Sequence, residues 1–478
     1  MMIRSLTTID SFLLAGLAGY ASLLGILVTV DVKIATVAAI LPALAWVIMA
    51  DKKNSLFLFI LFLPYSRSPF MSQNLMGIAG MKPFNLLAAL TLAACLFHGG
   101  NLLILQERNR NRALLFIWLY FLIFTITLFR SLGYLSILHM FWPNAYSTSV
   151  TRFLLSYYLV PALYLVPFFY ILNHITERDE IESILMCVWT TIVIFSLVFI
   201  GIALSHFSIF LSGNRKALVH LCGTFIGLHY NSIGSFYIIT APVLLLPLVR
   251  GKWWGWAGCA VSLIALLLLQ SRTAIVVFLL SSCLLLFLLN RKKLLFALLL
   301  LTGAAMAILL PLFLLNTLKE GMQPGNRDIL VSLFNGRIDL LWIPLLTEWF
   351  HDPKLLLFGK GRFSMIASEI YQRGFVIRTA HPHNALIELF LDCGLLVFSG
   401  ALFTLVTMTG KAWKIAGGIN SDLGWVLFMT IICFLIGTIS GRSFYPGVDN
   451  FFLFVTLPLF INYVFYEKRE SMQLADIT

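Results

Sequence analysis

Charged side chains are scarce in this chain of 478 residues. Asp, Glu, Lys and Arg make up only 11% of it, whereas a soluble globular protein carries about 25%. Hydrophobic residues make up 60%. This composition excludes a soluble protein of this length and predicts a polytopic membrane protein.

Cysteine pairs are also lacking. The seven cysteines are scattered, mostly through apolar runs, and none forms a C-x-x-C pair. Neither a disulfide framework nor a zinc site is indicated, and we expect no metal, no cofactor and no nucleic-acid partner. There is no internal repeat and no low-complexity linker, so residues 1–478 are expected to form a single transmembrane domain.

Apolar runs of about 17–25 residues, long enough to cross the hydrocarbon core, recur along the whole chain. They lie near 11–30, 34–50, 55–72, 83–99, 112–129, 152–172, 181–205, 231–249, 254–270, 273–289, 294–315, 385–409, 423–440 and 450–466. No small-residue cleavage site follows the first run, which we interpret as a retained span. The chain is therefore expected to be an all-α bundle of about 12–14 transmembrane helices.

Lys and Arg in the short loops fall on one side of the membrane under strict alternation of these spans. The clusters are Arg4, Lys52-Lys53, Arg108-Arg110-Arg112, Arg250-Lys252, Arg291-Lys292-Lys293, Lys411-Lys414 and Lys468-Arg469. Because positive charge accumulates in cytoplasmic loops, that side is expected to be the cytoplasm, with both termini there.

Two arginines on the other side are candidates for binding a phosphate. Arg215 and Arg272 each flank a span and have small polar neighbours, and the guanidinium presents a planar fork of donors that matches phosphate oxygens. The alternatives are an exposed surface cation for Arg215 and a structural ion pair for Arg272.

Residues 316–384, called the loop segment below, are expected to lie outside the cytoplasm with short amphipathic helices. Apolar residues recur there at helical spacing at Ile338, Leu341, Trp342, Leu345 and Trp349, and again at Phe363, Ile366 and Ile370. Between them, Phe358-Gly359-Lys360-Gly361-Arg362 is either an ordinary turn or one that directs N–H groups and two cations at an anion.

His383 lies where the loop segment meets a membrane span. A group between water and lipid that can exchange a proton near neutral pH suits a general base, although a histidine that only anchors a helix end fits as well. Asn384 could orient the imidazole or a sugar, or cap the helix that follows. His381 and His383 could ligate a metal, but no third ligand is positioned by sequence.

Two acids follow on the same helix. Glu388 and Asp392 are four residues apart and share one face, rotated away from His383. Buried acids in a membrane need cations. We therefore favour pairing with an arginine of a neighbouring helix over direct catalysis.

Several motifs together resemble the O-antigen ligase and polymerase superfamily. They are His383-Asn384 followed by Leu386, Asp392 and Gly394; Leu269-Gln270-Ser271-Arg272; Asn335-Gly336-Arg337 with Trp342; Phe358-Gly359-Lys360-Gly361; and His229-Tyr230-Asn231. The resemblance covers roughly residues 210–400. Ligases show Gly, Thr or Tyr where this chain has Val397, so the pattern does not separate ligase from polymerase.

The resemblance implies a GT-C-like fold and an inverting, metal-independent glycosyltransferase with its site at the periplasmic face of the bacterial inner membrane. The donor would be a glycan on undecaprenyl diphosphate, and the acceptor lipid A–core or another carrier-linked glycan. His383 would be the base, and Arg215 and Arg272 would hold the diphosphate. Asn384, Arg337, Lys360 and His381 are the supporting candidates.

A transporter of lipid-linked anionic solutes is the alternative from another class, because it also needs buried arginines. Such a protein should show inverted repeats and interrupted helices near the membrane midplane. In this sequence no repeat is found, and the polar features gather at one face.

Overall fold

The computed structural model describes residues 53–75, 82–103, 108–212, 215–303, 337–376, 379, 381–419, 422–439 and 443–475. Within these ranges the regular structure is helical and no strand occurs. The expected spans at 11–30 and 34–50, and the second half of 294–315, lie outside the described residues.

The principal helices are numbered in chain order. They are α1 (Asn54–Phe62), α2 (Pro83–Phe97), α3 (Arg108–Ser131), α4 (Val150–His174), α5 (Arg178–Ser205), α6 (Arg215–Phe225), α7 (Tyr230–Val249), α8 (Trp254–Leu268), α9 (Arg272–Leu288), α10 (Ile343–His351), α11 (Pro353–Phe358), α12 (Ala385–Ile419), α13 (Asp422–Ile439) and α14 (Phe451–Ala475). Shorter pieces are Pro69–Ser72, Leu135–Phe141, Phe207–Ser212, Ser364–Ala367 and Glu369–Gln372.

The helix lengths confirm an all-α polytopic membrane protein. Six of the described helices are long and apolar enough to cross a membrane, and five shorter apolar helices accompany them. Most bounds agree with the apolar runs to within a few residues. The run at 55–72 differs, because Pro64 and Pro69 divide it into α1, a short 3-10 turn and a four-residue helix.

Helix α7 forms the centre of the bundle. Every residue from Ile233 to Val249 is buried, and α5, α8, α9, α13 and α14 pack around it. Polar side chains of α7 are hydrogen-bonded: the Tyr237 hydroxyl and Ser196 Oγ lie 2.9 Å apart, and the Thr240 hydroxyl donates to the Phe236 carbonyl. A helix that is hydrophobic on all sides is typical of the core of a large protein or of a membrane span, and α7 is both buried and long enough to cross a membrane.

Two acids at the start of α5 form ion pairs with basic residues outside the helix. Arg250 donates to both carboxylate oxygens of Glu182, each at 2.6 Å, and Lys53 Nζ lies 3.4 Å from Glu180. Lys53 and Arg250 therefore lie at the same end of the bundle, as the loop charges predict.

The loop segment has a hydrophobic core of its own. Leu341, Leu345 and Trp349 are buried, in agreement with their helical spacing, and they pack with residues of α3, α4 and α12. The indole N–H of Trp349 donates to the Leu391 carbonyl at 3.1 Å. This contact fixes α10 against the beginning of α12.

Helix α12 is interrupted at Gly394, which the apolar run did not predict. Gly394 has φ 75°, and the turn at Gly359 packs directly against it. The N–H groups of Lys360 and Gly361 donate to the carbonyls of Leu391 and Asp392. At the kink these carbonyls accept hydrogen bonds from N–H groups of the loop segment.

Gly394→Ala should lower the melting temperature of the purified protein. An added Cβ would lie 2.4 Å from backbone atoms of Leu357, Phe358 and Gly359, and alanine rarely adopts this φ. Overpacking and backbone strain each cost about 1–3 kcal/mol.

The matched control is Gly400→Ala in the same helix, where nothing lies within 4 Å of an added Cβ. It should leave the melting temperature unchanged or raise it slightly, because alanine favours helix. Equal melting temperatures for the two variants would contradict the close contact at Gly394.

Candidate active site

His383 has a strained backbone. Its φ is 58°, in the left-handed region that few residues other than glycine adopt. Gln270, just before Ser271 and Arg272, has φ 54°. Strain of this kind clusters at functional sites and persists only where the surroundings impose it.

Hydrogen bonds from Trp342 and Tyr371 hold Thr379 and Pro382, on the approach to His383. The Trp342 indole N–H donates to the Pro382 carbonyl at 2.7 Å, and the Tyr371 hydroxyl donates to the Thr379 carbonyl at 3.0 Å. Beyond the histidine, Asn384 Oδ1 accepts from the N–H groups of the first turn of α12, at 3.0 and 3.2 Å. Of the roles considered for Asn384, the structure shows the helix cap.

His381 and His383 are in contact. Their ring centroids lie 4.1 Å apart at an interplanar angle of 65°. Within the part of the chain that the structure describes, no three His, Cys, Asp or Glu side chains are grouped as a metal site.

The beginnings of α7 and α9 meet beside this pair. His229 Nδ1 accepts from the Asn231 N–H at 3.2 Å and caps α7, and Ser271 Oγ lies 3.5 Å from Asn231 Oδ1. A Cβ added to Gly234 would lie 2.8 Å from Ser271 Oγ. The close packing of the two helices therefore fixes the turn that carries Arg272.

His383 is surrounded by groups that disfavour its charged form. Burial lowers the pKa of His383 to about 3, and His381, Arg337 and His229 act in the same direction. At neutral pH the imidazole is therefore uncharged and can accept a proton. Because desolvation and positive charge both disfavour a cation, a bound anion should raise this pKa.

Asp449 supplies a negative charge to the same site. It lies just before α14, and one of its carboxylate oxygens is buried without a hydrogen-bond partner. Burial lowers the pKa values of His229 and His381, and the charge of Asp449 opposes that shift at both.

Four helices begin around these residues. His229 precedes α7, Ser271 precedes α9, His383 and Asn384 precede α12, and Asp449 precedes α14. Helix N-termini carry partial positive charge and unpaired N–H groups. Together with Arg337, whose pKa burial lowers while the nearby Tyr230 opposes the shift, they suit a negatively charged ligand.

The other predicted site residues do not all lie in the histidine cluster. Arg272 is exposed in the first turn of α9, whereas the side chain of Arg215 lies outside the described residues. Lys360 is not part of the histidine cluster. Its ammonium donates to the Ala367 carbonyl, and its electrostatic partners are Glu348, Glu369 and Asp352.

Among the described residues, the acids of α12 interact with residues of the loop segment and of the turn before α14, and not with an arginine of a neighbouring helix as the sequence led us to favour. Ser364 donates to Asp392 Oδ1 through its hydroxyl at 2.6 Å, and Arg362 interacts electrostatically with Glu388. The Arg362 guanidinium lies over the rings of Phe363 and Tyr445, at 4.9 and 4.8 Å from their centroids.

No motif in the sequence pointed to Asp449, and His229 was noted only as part of a motif that opens a span. A single acid ahead of the last span is ordinary in sequence. Only the packing of α14 beside α7 shows that Asp449 interacts electrostatically with His229 and His381.

The pH dependence of any reaction based on His383 follows from its environment. In the free protein the base should stay neutral well below its ordinary pKa of 6.5, so kcat/KM should remain constant from roughly pH 8 down to about pH 5. A bound anionic substrate would raise the pKa, so kcat should begin to fall at a higher pH than kcat/KM. pH profiles of both constants would check this. An acid limb of kcat/KM centred near 6.5 would contradict the described environment.

Comparison with protein families gives one finding for part of the chain. Residues 257–402 match the family described as O-Antigen ligase. The matched part includes Ser271, Arg272, Arg337, His381 and His383, and it leaves His229 and Asp449 outside. A search of curated proteins finds no match.

Proposed function

We propose that the chain, whose residues 257–402 match the O-Antigen ligase family, is a membrane glycosyltransferase that transfers a glycan from undecaprenyl diphosphate to an acceptor sugar hydroxyl. The proposed acceptor is lipid A–core, and the proposed place is the periplasmic face of the bacterial inner membrane. The observation that carries the proposal is the strained, uncharged His383 beside His381 and Arg337, at the gathered N-termini of four helices.

The proposed reaction is one displacement at the anomeric carbon. His383 takes the proton of the acceptor hydroxyl, and the acceptor oxygen forms a bond to the anomeric carbon. The bond from that carbon to the diphosphate oxygen breaks, and its electron pair leaves with undecaprenyl diphosphate. Attack from the face opposite the leaving group inverts the configuration.

Arginines would balance the charge that develops on the departing diphosphate. Arg272 and Arg215 are the proposed clamp, with Arg337 beside His383 as a third cation. Preorganised donors aimed at developing charge can supply the stabilisation that other enzymes take from a metal ion. For this reason we propose a metal-independent reaction.

Asp449 would favour the protonated forms of His381 and His229, because a nearby carboxylate stabilises an imidazolium. His381 is in ring contact with His383.

A polymerase of the same superfamily is the second candidate, supported by Val397 at a position where ligases show Gly, Thr or Tyr. Deletion of the gene in its host separates the two. Bare lipid A–core with accumulated long carrier-linked chains would indicate a ligase. Lipid A–core capped with single units would indicate a polymerase. Transfer by the purified protein in detergent, without a sealed compartment, would exclude a function limited to transport.

The proposed orientation can be tested with single cysteines. A cysteine at Gln372, which is exposed in the loop segment, should react with a membrane-impermeant maleimide added from outside. A cysteine at Asn290, exposed after α9, should react only after the membrane is opened. Labelling of Asn290→Cys alone in intact cells would contradict the orientation and the mechanism with it.

A further inference from the structure

A cavity lies in the loop segment, and its lining includes none of the histidine-cluster residues. It is a groove of about 660 Å³, open to solvent, between α10 and the short helices that follow the Gly359 turn. Its lining is Thr347, Glu348, His351, Asp352, Leu355, Lys360, Ala367, Glu369, Ile370 and Gln372. The volume lies within the usual range of ligand sites, about 300–1,000 Å³.

Hydrogen bonds hold the walls of this groove in place. The two carboxylate oxygens of Glu348 accept from the N–H groups of Glu369 and Ile370, at 2.9 and 3.0 Å. The Ala367 carbonyl accepts from the Lys360 ammonium and, at 3.0 Å, from the Gln372 amide. The groove is therefore preformed.

The lining combines donors and acceptors with small apolar surfaces. Thr347, His351 and Asp352 are exposed side chains. Local hydrogen bonds use the Thr347 hydroxyl proton, His351 Nδ1 and Asp352 Oδ1, which leaves the Thr347 hydroxyl oxygen, His351 Nε2 and Asp352 Oδ2 for a ligand. Leu355 and Ile370 provide apolar area between them. Sugar rings need this mixture, because each hydroxyl both donates and accepts while the C–H faces are apolar.

The charge of the groove excludes the diphosphate end of a carrier lipid. The carboxylates of Glu348, Asp352 and Glu369 outnumber the cations, which are Lys360 in the lining and Arg373 paired with Glu369 at its edge. A diphosphate would meet like charge there, whereas an uncharged, hydroxyl-rich chain would not.

We propose that this groove binds neutral sugar units of a glycan during transfer, at a distance from the reacting bond. The proposal rests on the proposed function. The sugars belong either to the donor glycan or to the acceptor glycan, which have the same chemistry.

The test is binding of a free oligosaccharide to the purified full-length protein. The probe is the neutral oligosaccharide released by mild acid from the carrier-linked glycan of the host, followed by calorimetry. Thr347→Trp places an indole in the groove and should raise the dissociation constant at least tenfold. His351→Trp blocks the groove from the next turn and should do the same, in case the first variant folds poorly.

The matched control is Phe350→Trp, which adds an indole on the same helix at an exposed position outside the lining. It should bind the oligosaccharide as the unchanged protein does. Equal binding by Phe350→Trp and by folded Thr347→Trp or His351→Trp would overturn the groove assignment, as would failure of the unchanged protein to bind the probe.

A kinetic measurement distinguishes donor sugars from acceptor sugars as the ligand of the groove. It also tests the groove assignment separately from the proposed function. In Thr347→Trp, KM should rise for the donor alone if the groove takes donor sugars, and for the acceptor alone if it takes acceptor sugars, with kcat little changed. If the unchanged protein binds the probe through the groove but transfers nothing, the proposed function fails and the groove remains. If transfer is normal and neither KM nor binding changes, the groove assignment fails and the proposed function remains.

Discussion

His383→Ala should abolish glycan transfer in a protein that still folds and still binds the diphosphate donor. General-base catalysis contributes about 10²–10⁴-fold in rate, which is enough to bring a slow transfer below detection. The arginines that would hold the donor are unchanged in this variant. Transfer, donor binding and melting temperature should be measured on the same preparation.

Two further variants make the result specific. His383→Gln can form a hydrogen bond but cannot take up a proton at neutral pH, so it should also be inactive. His381→Ala removes the neighbouring ring and should keep measurable activity, because His381 is not the proposed base. An inactive His381→Ala together with an active His383→Ala would show that His381, and not His383, is the base.

Arg272→Lys should reduce turnover strongly although it keeps the charge. Lysine loses the planar pair of donors that matches phosphate oxygens, and removal of one preorganised donor from a site of developing charge costs about 10²–10³-fold in kcat. Single-turnover rates at saturating donor would show the loss.

The matched control is Arg250→Lys at the opposite end of the bundle. Arg250 also uses two nitrogens on one carboxylate, that of Glu182, so the same change removes the same geometry far from the site. It should lower the melting temperature without affecting turnover. A fully active Arg272→Lys would contradict the diphosphate clamp and favour a structural ion pair.

The membrane-spanning helices were predictable, because the apolar thickness of the bilayer alone determines their composition and length. A scarcity of charge and apolar runs of membrane length predict helices, and the bounds of α5, α7, α9 and α13 agree closely. The kink at Gly394 was not predictable, because the apolar run continues through it. It depends on contact with Gly359 in the loop segment, which is tertiary information.

The candidate site was partly predictable for a related reason. His383, Asn384, Ser271 and Arg272 lie in short motifs beside predicted helix starts, so their neighbourhood can be inferred from the chain. Asp449 enters the site only because α14 packs beside α7. Lys360 was a supporting candidate in sequence, but the fold of the loop segment places it near Glu348, Glu369 and Asp352.

The left-handed backbone of His383 allows the most direct test of the proposal that His383 is the catalytic base. Asparagine tolerates the left-handed region better than most residues, so His383→Asn removes the base with little change in strain. Purified His383→Asn should bind the diphosphate donor like the unchanged protein, keep its melting temperature, and show no single-turnover transfer with chelator present, while the unchanged protein transfers normally. Normal transfer by a stably folded His383→Asn would contradict the account and remove His383 from the mechanism.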